Sequence, residues 1–198
     1  MKIIVIGGTG TIGKRIVADL ENDHEIIVVG ATKGTYQVDI TSTESIEKLF
    51  ARIGNFDALI STAGNGHFGL LKFAKQDDFN IGLQHKLLGQ INLVLIGQKF
   101  INPNGSFTLT SGILSDDPIK HGSNLSTVNA GINAFAKAAA IELENGVRIN
   151  AVSPGVVADS PDLHPYFPGH TPAAMEIVVA AYRKSVLGFS NGNTIKAW

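Results

Sequence analysis

The sequence predicts an α/β fold, a doubly wound parallel sheet of about seven strands with helices on both faces in three α/β/α layers. Three observations predict it. The apolar period switches repeatedly between strand-like and helix-like along the 198 residues, a glycine-rich turn follows the first strand, and no low-complexity segment or solenoid-length repeat breaks the alternation. Strands separated by helical crossovers pair in parallel, and their ligand crevice lies beyond the strands' C-terminal ends.

The first element is the apolar run Lys2 to Ile6, which breaks into Gly7-Gly-Thr-Gly10-Thr-Ile-Gly13 and then a helical stretch from Lys14 to Leu20. A strand that ends in glycines spaced by three and opens a helix aims backbone N–H groups and a helix N-terminus at one spot, as a pyrophosphate requires. Gly7, Thr9, Gly10, Thr11, Ile12 and Gly13 are therefore the candidate dinucleotide cradle. A second strand is expected from Glu25 to Val29 and a third from Tyr36 to Ile40. Thr41-Ser-Thr-Glu44 supplies an N-cap and an early acid for a helix through Ile53. Asp57 to Ser61 forms the fourth strand and enters a second glycine turn, Ala63-Gly64-Asn65-Gly66. A long helix is expected over Gly82 to Phe100, after which Pro103-Asn-Gly105 turns the chain into a strand from Ser106 to Thr110. The next helix, Ser126 to Leu143, carries one apolar stripe of Ile132, Phe135, Ala136, Ala139 and Leu143. Val147 to Val152 is a strand. Pro154 to Pro172 is rich in Pro, Gly, His and Asp and has no period, so residues 155–172 are expected to form a substrate loop. Ala173 to Ser185 is helical, and Asn193 to Trp198 closes the chain as a strand.

A single domain over residues 1–198 suits this length, and 44% apolar with 17% charged residues is ordinary for a soluble globular protein. A net charge of −1 without blocks of like charge argues against nucleic acid and anionic membrane surfaces as partners. No apolar stretch approaches the ~18 residues of a membrane span. Met1 to Ile6 is too short for a signal-peptide core, so the expected location is cytoplasmic. With no cysteine, disulfides, thiol nucleophiles and Cys-ligated zinc are excluded; the histidines lack metal-ligand spacing, and no metal site is expected.

Taken in chain order, the residues at the strand ends resemble the short-chain dehydrogenase/reductase family, whose members bind NAD(H) or NADP(H) on a Rossmann-like fold and move hydride to or from carbonyls and alcohols. The resemblance covers nearly the whole chain. Val38-Asp39-Ile40-Thr41 is similar to a segment whose carboxylate contacts adenine. Ser61-Thr62-Ala63-Gly64 keeps the Ala-Gly half of the family's Asn-Asn-Ala-Gly turn, and Phe107-Thr-Leu-Thr-Ser111 matches the strand that ends in the catalytic serine. Arg148 to Gly155 resembles the strand and Pro-Gly turn beside the nicotinamide. The resemblance thus implies cofactor contacts at Asp39, Ile40, Ala63, Gly64, Pro154 and Gly155, and a catalytic Ser111. The glycine loop departs in spacing, with Gly7-x-x-Gly10-x-x-Gly13 where the family commonly has Thr-Gly-x-x-x-Gly-x-Gly.

The catalytic positions depart further. Counted back from Ile141-Glu142-Leu143 at the helix end, the family's Tyr-x-x-x-Lys falls on Leu125 and Asn129. Leucine cannot transfer a proton, and the ammonium that lowers the phenol's pKa is missing as well. The asparagine of the preceding helix corresponds to Lys86. A Lys86 projecting into the crevice would donate a proton or place a cation beside a developing alkoxide, to which Ser111 would hydrogen-bond. The other reading of Lys86 is a solvated helix lysine. Tyr166, in the long loop, is either a substitute phenol or a loop anchor.

NAD-specific members place an acid at the end of the second strand, where this chain has Gly30-Ala31-Thr32-Lys33. Thr32 and Lys33 suit a 2′-phosphate, so NADP is expected over NAD. Two functions stay open. One is an NADP(H)-dependent oxidoreductase with an altered proton donor and a small-molecule carbonyl or alcohol substrate. The other is a catalytically weak or inactive NAD(P)-binding protein that senses cofactor or binds a partner. Because family members pair the long helices flanking the serine strand, the resemblance also implies a homodimer or homotetramer.

Overall fold

Alternating burial along the first strand sets up the layers: Ile3 and Val5 pack into one core, Ile4 and Ile6 into another, and all four are buried. The computed structural model describes residues 1–198 and contains seven strands: β1 (Lys2–Ile6), β2 (Glu25–Gly30), β3 (Tyr36–Gln37), β4 (Phe56–Ser61), β5 (Ile101–Thr110), β6 (Arg148–Pro154) and β7 (Thr194–Ala197). They form one parallel sheet in the order β3-β2-β1-β4-β5-β6-β7. The chain leaves β1 toward β2 and returns to pair β4 on the other side of β1. That reversal opens a crevice beyond the C-terminal ends of β1 and β4.

Helices α1 (Thr11–Leu20) and α6 (Met175–Leu187) cover one face, burying Ile16, Leu20, Val178 and Tyr182 against Ile3, Val5, Ile60 and Val152. On the other face, α2 (Thr43–Ile53), α4 (Gly89–Gly97) and α5 (Ser123–Glu142) bury Phe50, Leu93 and Ile132 against Ile4, Phe107 and Ile149. A short α3 (Gln76–Gly82) runs into a wide π turn, Leu83–Leu88, that leads directly into α4. No helix is long and apolar enough to cross a membrane.

Several boundaries differ from the sequence expectation, each for a local reason. The third strand ends at Gln37 rather than Ile40, because the Asp39 carboxylate accepts from the Thr41 N–H at 2.9 Å and turns the chain. The helix expected over Gly82–Phe100 is composite: it starts at Gln76, widens at Leu83–Leu88 and ends at Gly97. Pro103-Asn-Gly105 does not precede the fifth strand but bulges within it, with Asn104 at φ 63° and a register shift between Phe56 and Ala58 on β4. Helix α5 starts three residues earlier than expected, its first turn closed by the Ser126 N–H on the Gly122 carbonyl. Helix α6 begins at Met175 because Ala173 is bridged to Val157 instead. The long loop is not featureless: a 3₁₀ helix spans Pro161–Tyr166.

Candidate active site

The crevice is built first from backbone. Gly7 sits at φ 81°, where a side chain is strained, and a Cβ there would lie 2.9 Å from the Ala63 nitrogen. A Cβ on Gly13 would overlap the Gly7 carbonyl oxygen and lie 2.7 Å from the Gly8 Cα, so α1 sits directly on the loop. Gly10 caps this helix without any side-chain cap, and the N–H groups of Thr11, Ile12 and Gly13 have no backbone acceptor. Unfilled donors at the positive end of a helix dipole, with space beside them, fit a diphosphate.

Two cavities flank this cradle. One, of about 420 Å³, is lined by Gly7, Ala31, Asp39, Ile40, Ala63 and Gly64, together with His85 from the π turn. The other, of about 320 Å³, is lined by Gly10 to Gly13, Lys86, Ser111, Leu125, Asn129 and the Pro154-Gly155 turn. The structure thus groups most of the sequence-derived site residues around one crevice. Thr9 is exposed beside Gly30, while Thr32 and Lys33 stay on the exposed turn beyond Ala31, outside the cavity wall. Asp39 Oδ1 accepts from both the Thr41 hydroxyl, at 2.7 Å, and its N–H, which holds the carboxyl below its usual range. Its Oδ2 has no protein partner.

The second cavity is built from side chains. At the end of β5, buried Gln90 donates to the Thr110 carbonyl at 2.9 Å and accepts from the Thr110 N–H at 2.8 Å. This fixes the strand end that carries Ser111. The Ser111 hydroxyl makes one long bond, 3.3 Å, to the Val152 carbonyl. Lys86 Nζ donates to the Ser111 carbonyl at 2.9 Å, which answers the sequence question: this lysine turns inward. Two features bring it there. An extra residue in the π turn rotates the following positions by roughly 100° relative to an α-helix. Gly64, at φ 137°, leaves room for the stem; a Cβ there would stand 2.8 Å from Lys86 Cγ and 2.9 Å from its Cα. No carboxylate lies within ion-pair distance of Lys86. Desolvation pulls its ammonium from 10.5 down to about 8.

Leu125 and Asn129 both face this cavity. Asn129 is buried; its Nδ2 reaches the Gly112 carbonyl at 3.4 Å and its Oδ1 has no partner. None of the three tyrosines lines the cavity. Tyr36 lies in β3, and Tyr182 is buried under the sheet, where its hydroxyl meets Thr110 Oγ1 at 2.6 Å and burial pushes it up. Tyr166 packs on Phe68, ring centroids 6.1 Å apart, in an outer hollow next to this cavity and not in its wall. Residues 155–172 place Leu163 and Phe167 in the wall of this cavity, and Arg15 of α1 holds the same segment with a 2.6 Å ion pair to Asp159.

Sequence reasoning passed over Gln90 and Phe68 and took His85 for a helix-surface residue. Nothing in the sequence marks a π turn, so His85 reads as helix surface; Gln90, the polar residue in the otherwise apolar stretch Gly89 to Gly97 apart from Asn92, carried the one usable signal.

A family model described as enoyl-(acyl carrier protein) reductase matches residues 14–163. The chain is 26% identical over 159 residues to dehydrogenase/reductase SDR family member 6 of Aquarana catesbeiana, covering 76% of this chain and 64% of that protein. It is 27% identical over 117 residues to the 3-oxoacyl-(acyl-carrier-protein) reductase FabG of Thermotoga maritima, covering 58% of this chain and 48% of that one. It therefore spans less than two thirds of the length of either relative. Among solved structures, the protein lin1944 from Listeria innocua superposes with a TM-score of 0.98 at 41% identity, over 100% of both chains. A small-chain dehydrogenase in complex with NADPH superposes with a TM-score of 0.87 at 27% identity, over 99% of this chain and 95% of that one.

Proposed function

The chain belongs to the short-chain dehydrogenase/reductase family, and from that premise we propose that it is an NADP(H)-dependent oxidoreductase whose proton and charge management runs through Lys86 and Ser111 instead of a tyrosine–lysine pair. One observation carries the reading: an ammonium without a counter-ion, 2.9 Å from the Ser111 carbonyl, in the wall of the cavity beside the glycine cradle. When bound, the nicotinamide supplies or accepts hydride. The N–H groups of Thr11, Ile12 and Gly13 hold the diphosphate. Asp39, Ile40, Ala63 and Gly64 bound the adenosine side. Pro154, Gly155 and Asn129 bound the nicotinamide side. Lys86 stabilises negative charge on the substrate oxygen and returns the proton, and Ser111 Oγ orients that oxygen.

NADP is favoured over NAD because no acid follows β2, and Thr32 and Lys33 stand on the adjacent turn. The NADPH complex of the 27% identical neighbour supports the same choice. We further place the protein in the cytoplasm as a single-domain homodimer or homotetramer, associating through α4 and α5, where Leu95 and Ile141 are 49% and 87% exposed; light scattering on the purified protein tests the assembly.

The absence of a tyrosine from the reaction cavity favours a second reading, a nucleotide-binding protein that has given up catalysis. NADPH fluorescence titration followed by absorbance decay against carbonyl compounds separates the two. Binding with turnover supports the enzyme, binding without turnover supports the sensor, and no binding overturns both.

A further inference from the structure

Resting on the oxidoreductase reading above, we propose that the reaction cavity takes a quinone-type acceptor, a flat apolar ring whose conjugated carbonyl is reduced to a phenolate oxygen held by Lys86. The first support is the mismatch between the site and an ordinary ketone. Hydride addition to a simple ketone leaves an alkoxide, a far stronger base than any side chain here, so a proton must arrive with the hydride. Leu125 faces the cavity and none of Tyr36, Tyr166 and Tyr182 does. A quinone removes that demand. Its reduced form spreads the electron pair over an aromatic ring, and a phenol ionises near pKa ~10, so its anion persists where a cation faces it.

The second support is Lys86 itself. A half-buried cation without a counter-ion is costly unless something completes it, and no carboxylate lies within ion-pair distance of this one; desolvation lowers its pKa. An oxyanion on the ligand is the partner the geometry lacks. The third support is the wall. Phe68, Ile113, Leu114, Leu125, Val156 and Phe167 are apolar, and no arginine or second lysine joins Lys86, so a phosphate or a dianion has nothing to pair with.

The step balances. Hydride leaves a C–H bond of the reduced nicotinamide and forms an O–H bond at one quinone oxygen, which gives the oxidised nicotinamide and the hydroquinone monoanion: both C=O bonds become C–O single bonds to an aromatic ring, and the other oxygen keeps the charge and faces Lys86. One proton from the Lys86 ammonium, replaced from solvent, completes the hydroquinone.

The test begins with binding, using 4-nitrophenol and the full chain. The bound probe is expected as its yellow phenolate, with its ionisation midpoint lowered by at least one pH unit, a tenfold preference for the anion. Lys86→Met removes the shift and weakens the probe ~10-fold or more, while an unchanged NADPH titration shows that the variant is folded. Benzoate competes at least tenfold less well. With NADPH present and the enzyme-free rate subtracted, 1,4-naphthoquinone is reduced ~10²-fold faster than cyclohexanone, the smallest factor a missing positioned acid usually exacts. A probe bound as neutral phenol, benzoate binding as tightly as the phenolate, or cyclohexanone reduced as fast as the quinone each overturns the inference. A parent protein that binds no NADPH overturns the cofactor reading and this inference with it; NADPH binding beside an unshifted probe overturns this inference alone.

Discussion

Around the first cavity the contacts come from main chain and short residues close to β1, β2 and β4: Gly7, Ala31, Ala63 and Gly64. Around the second they come largely from side chains: Lys86 reaches the Ser111 carbonyl and Asn129 the Gly112 carbonyl, while Gln90 fixes Thr110 at the strand end behind them. The difference separates what the fold demands from what the chemistry selects. A backbone cradle works only if no side chain intrudes, so it tolerates little change. A side-chain site keeps its frame while its residues are exchanged, which is how one scaffold hosts different reactions.

The largest effect expected from this contrast is at the cradle. Gly13→Ala puts a Cβ onto the Gly7 carbonyl and 2.7 Å from the Gly8 Cα, and these are backbone atoms that cannot swing away. Overpacking of this kind costs ~1–3 kcal/mol. Carried into binding, that is ~5- to 150-fold weaker NADPH, read by fluorescence titration, with a lowered melting temperature. Parent-like binding would break the claim that the cradle is built by exclusion.

Next comes Lys86→Met, which keeps the length of the stem and removes the charge. Turnover is expected to fall ~10²- to 10⁴-fold while NADPH affinity stays within ~3-fold, so that the two sides of the crevice separate experimentally. An equal loss of binding and turnover would show that they are one unit. Because Lys86 is a desolvated cation without a counter-ion, the same variant melts higher than the parent at neutral pH.

How much of this was legible beforehand follows the same divide. The cradle is written in consecutive residues, Gly7 to Gly13, and steric requirements on glycine are local, so the motif and the strand before it read directly. The seven strands and their parallel pairing were legible because each apolar run had its own turn signals. Lys86 and Ser111, in contrast, are 25 residues apart, and their 2.9 Å bond depends on a π turn that no propensity marks. The inward turn of the lysine is a tertiary fact. The bulge at Pro103-Asn-Gly105 was misplaced for a related reason: turn-forming residues announce a departure from regular pairing, not whether it comes before the strand or inside it.

A smaller effect is expected from pH, and its sign follows from Lys86 having a native pKa of about 8 against 10.5 ordinarily. Turnover that uses the ammonium declines as pH rises through about 8. For stability, the folded chain binds the proton less tightly than the unfolded one, so the penalty is complete below about 8 and disappears as pH rises toward 10.5. The contribution of this residue to stability therefore increases with pH across that window. Comparing parent and Lys86→Met melting curves between these limits isolates it: the gap between them closes at the alkaline end, and a constant gap would mean that the lysine is not desolvated.

The smallest effect belongs to the contact that joins the two sides. Arg15 leaves α1, the helix that follows the glycine turn, and reaches Asp159 in the long segment after β6 with Nε at 3.0 Å and Nη2 at 2.6 Å. The pair is half-exposed, 54% on the arginine side, and pairs in water contribute only ~0–1 kcal/mol. Arg15→Ala is therefore expected to raise the substrate KM by up to ~5-fold and to leave kcat and NADPH affinity unchanged, since neither the cradle nor Lys86 moves. High salt should reproduce this in the parent and add nothing in the variant, because screening and truncation remove the same attraction. If KM ignores both, the loop is held by Phe167 packing in its own small core and by the Val157–Ala173 bridge. Closure over the substrate would then belong to apolar contact alone, and the cradle and the reaction side would communicate only through the bound ligand.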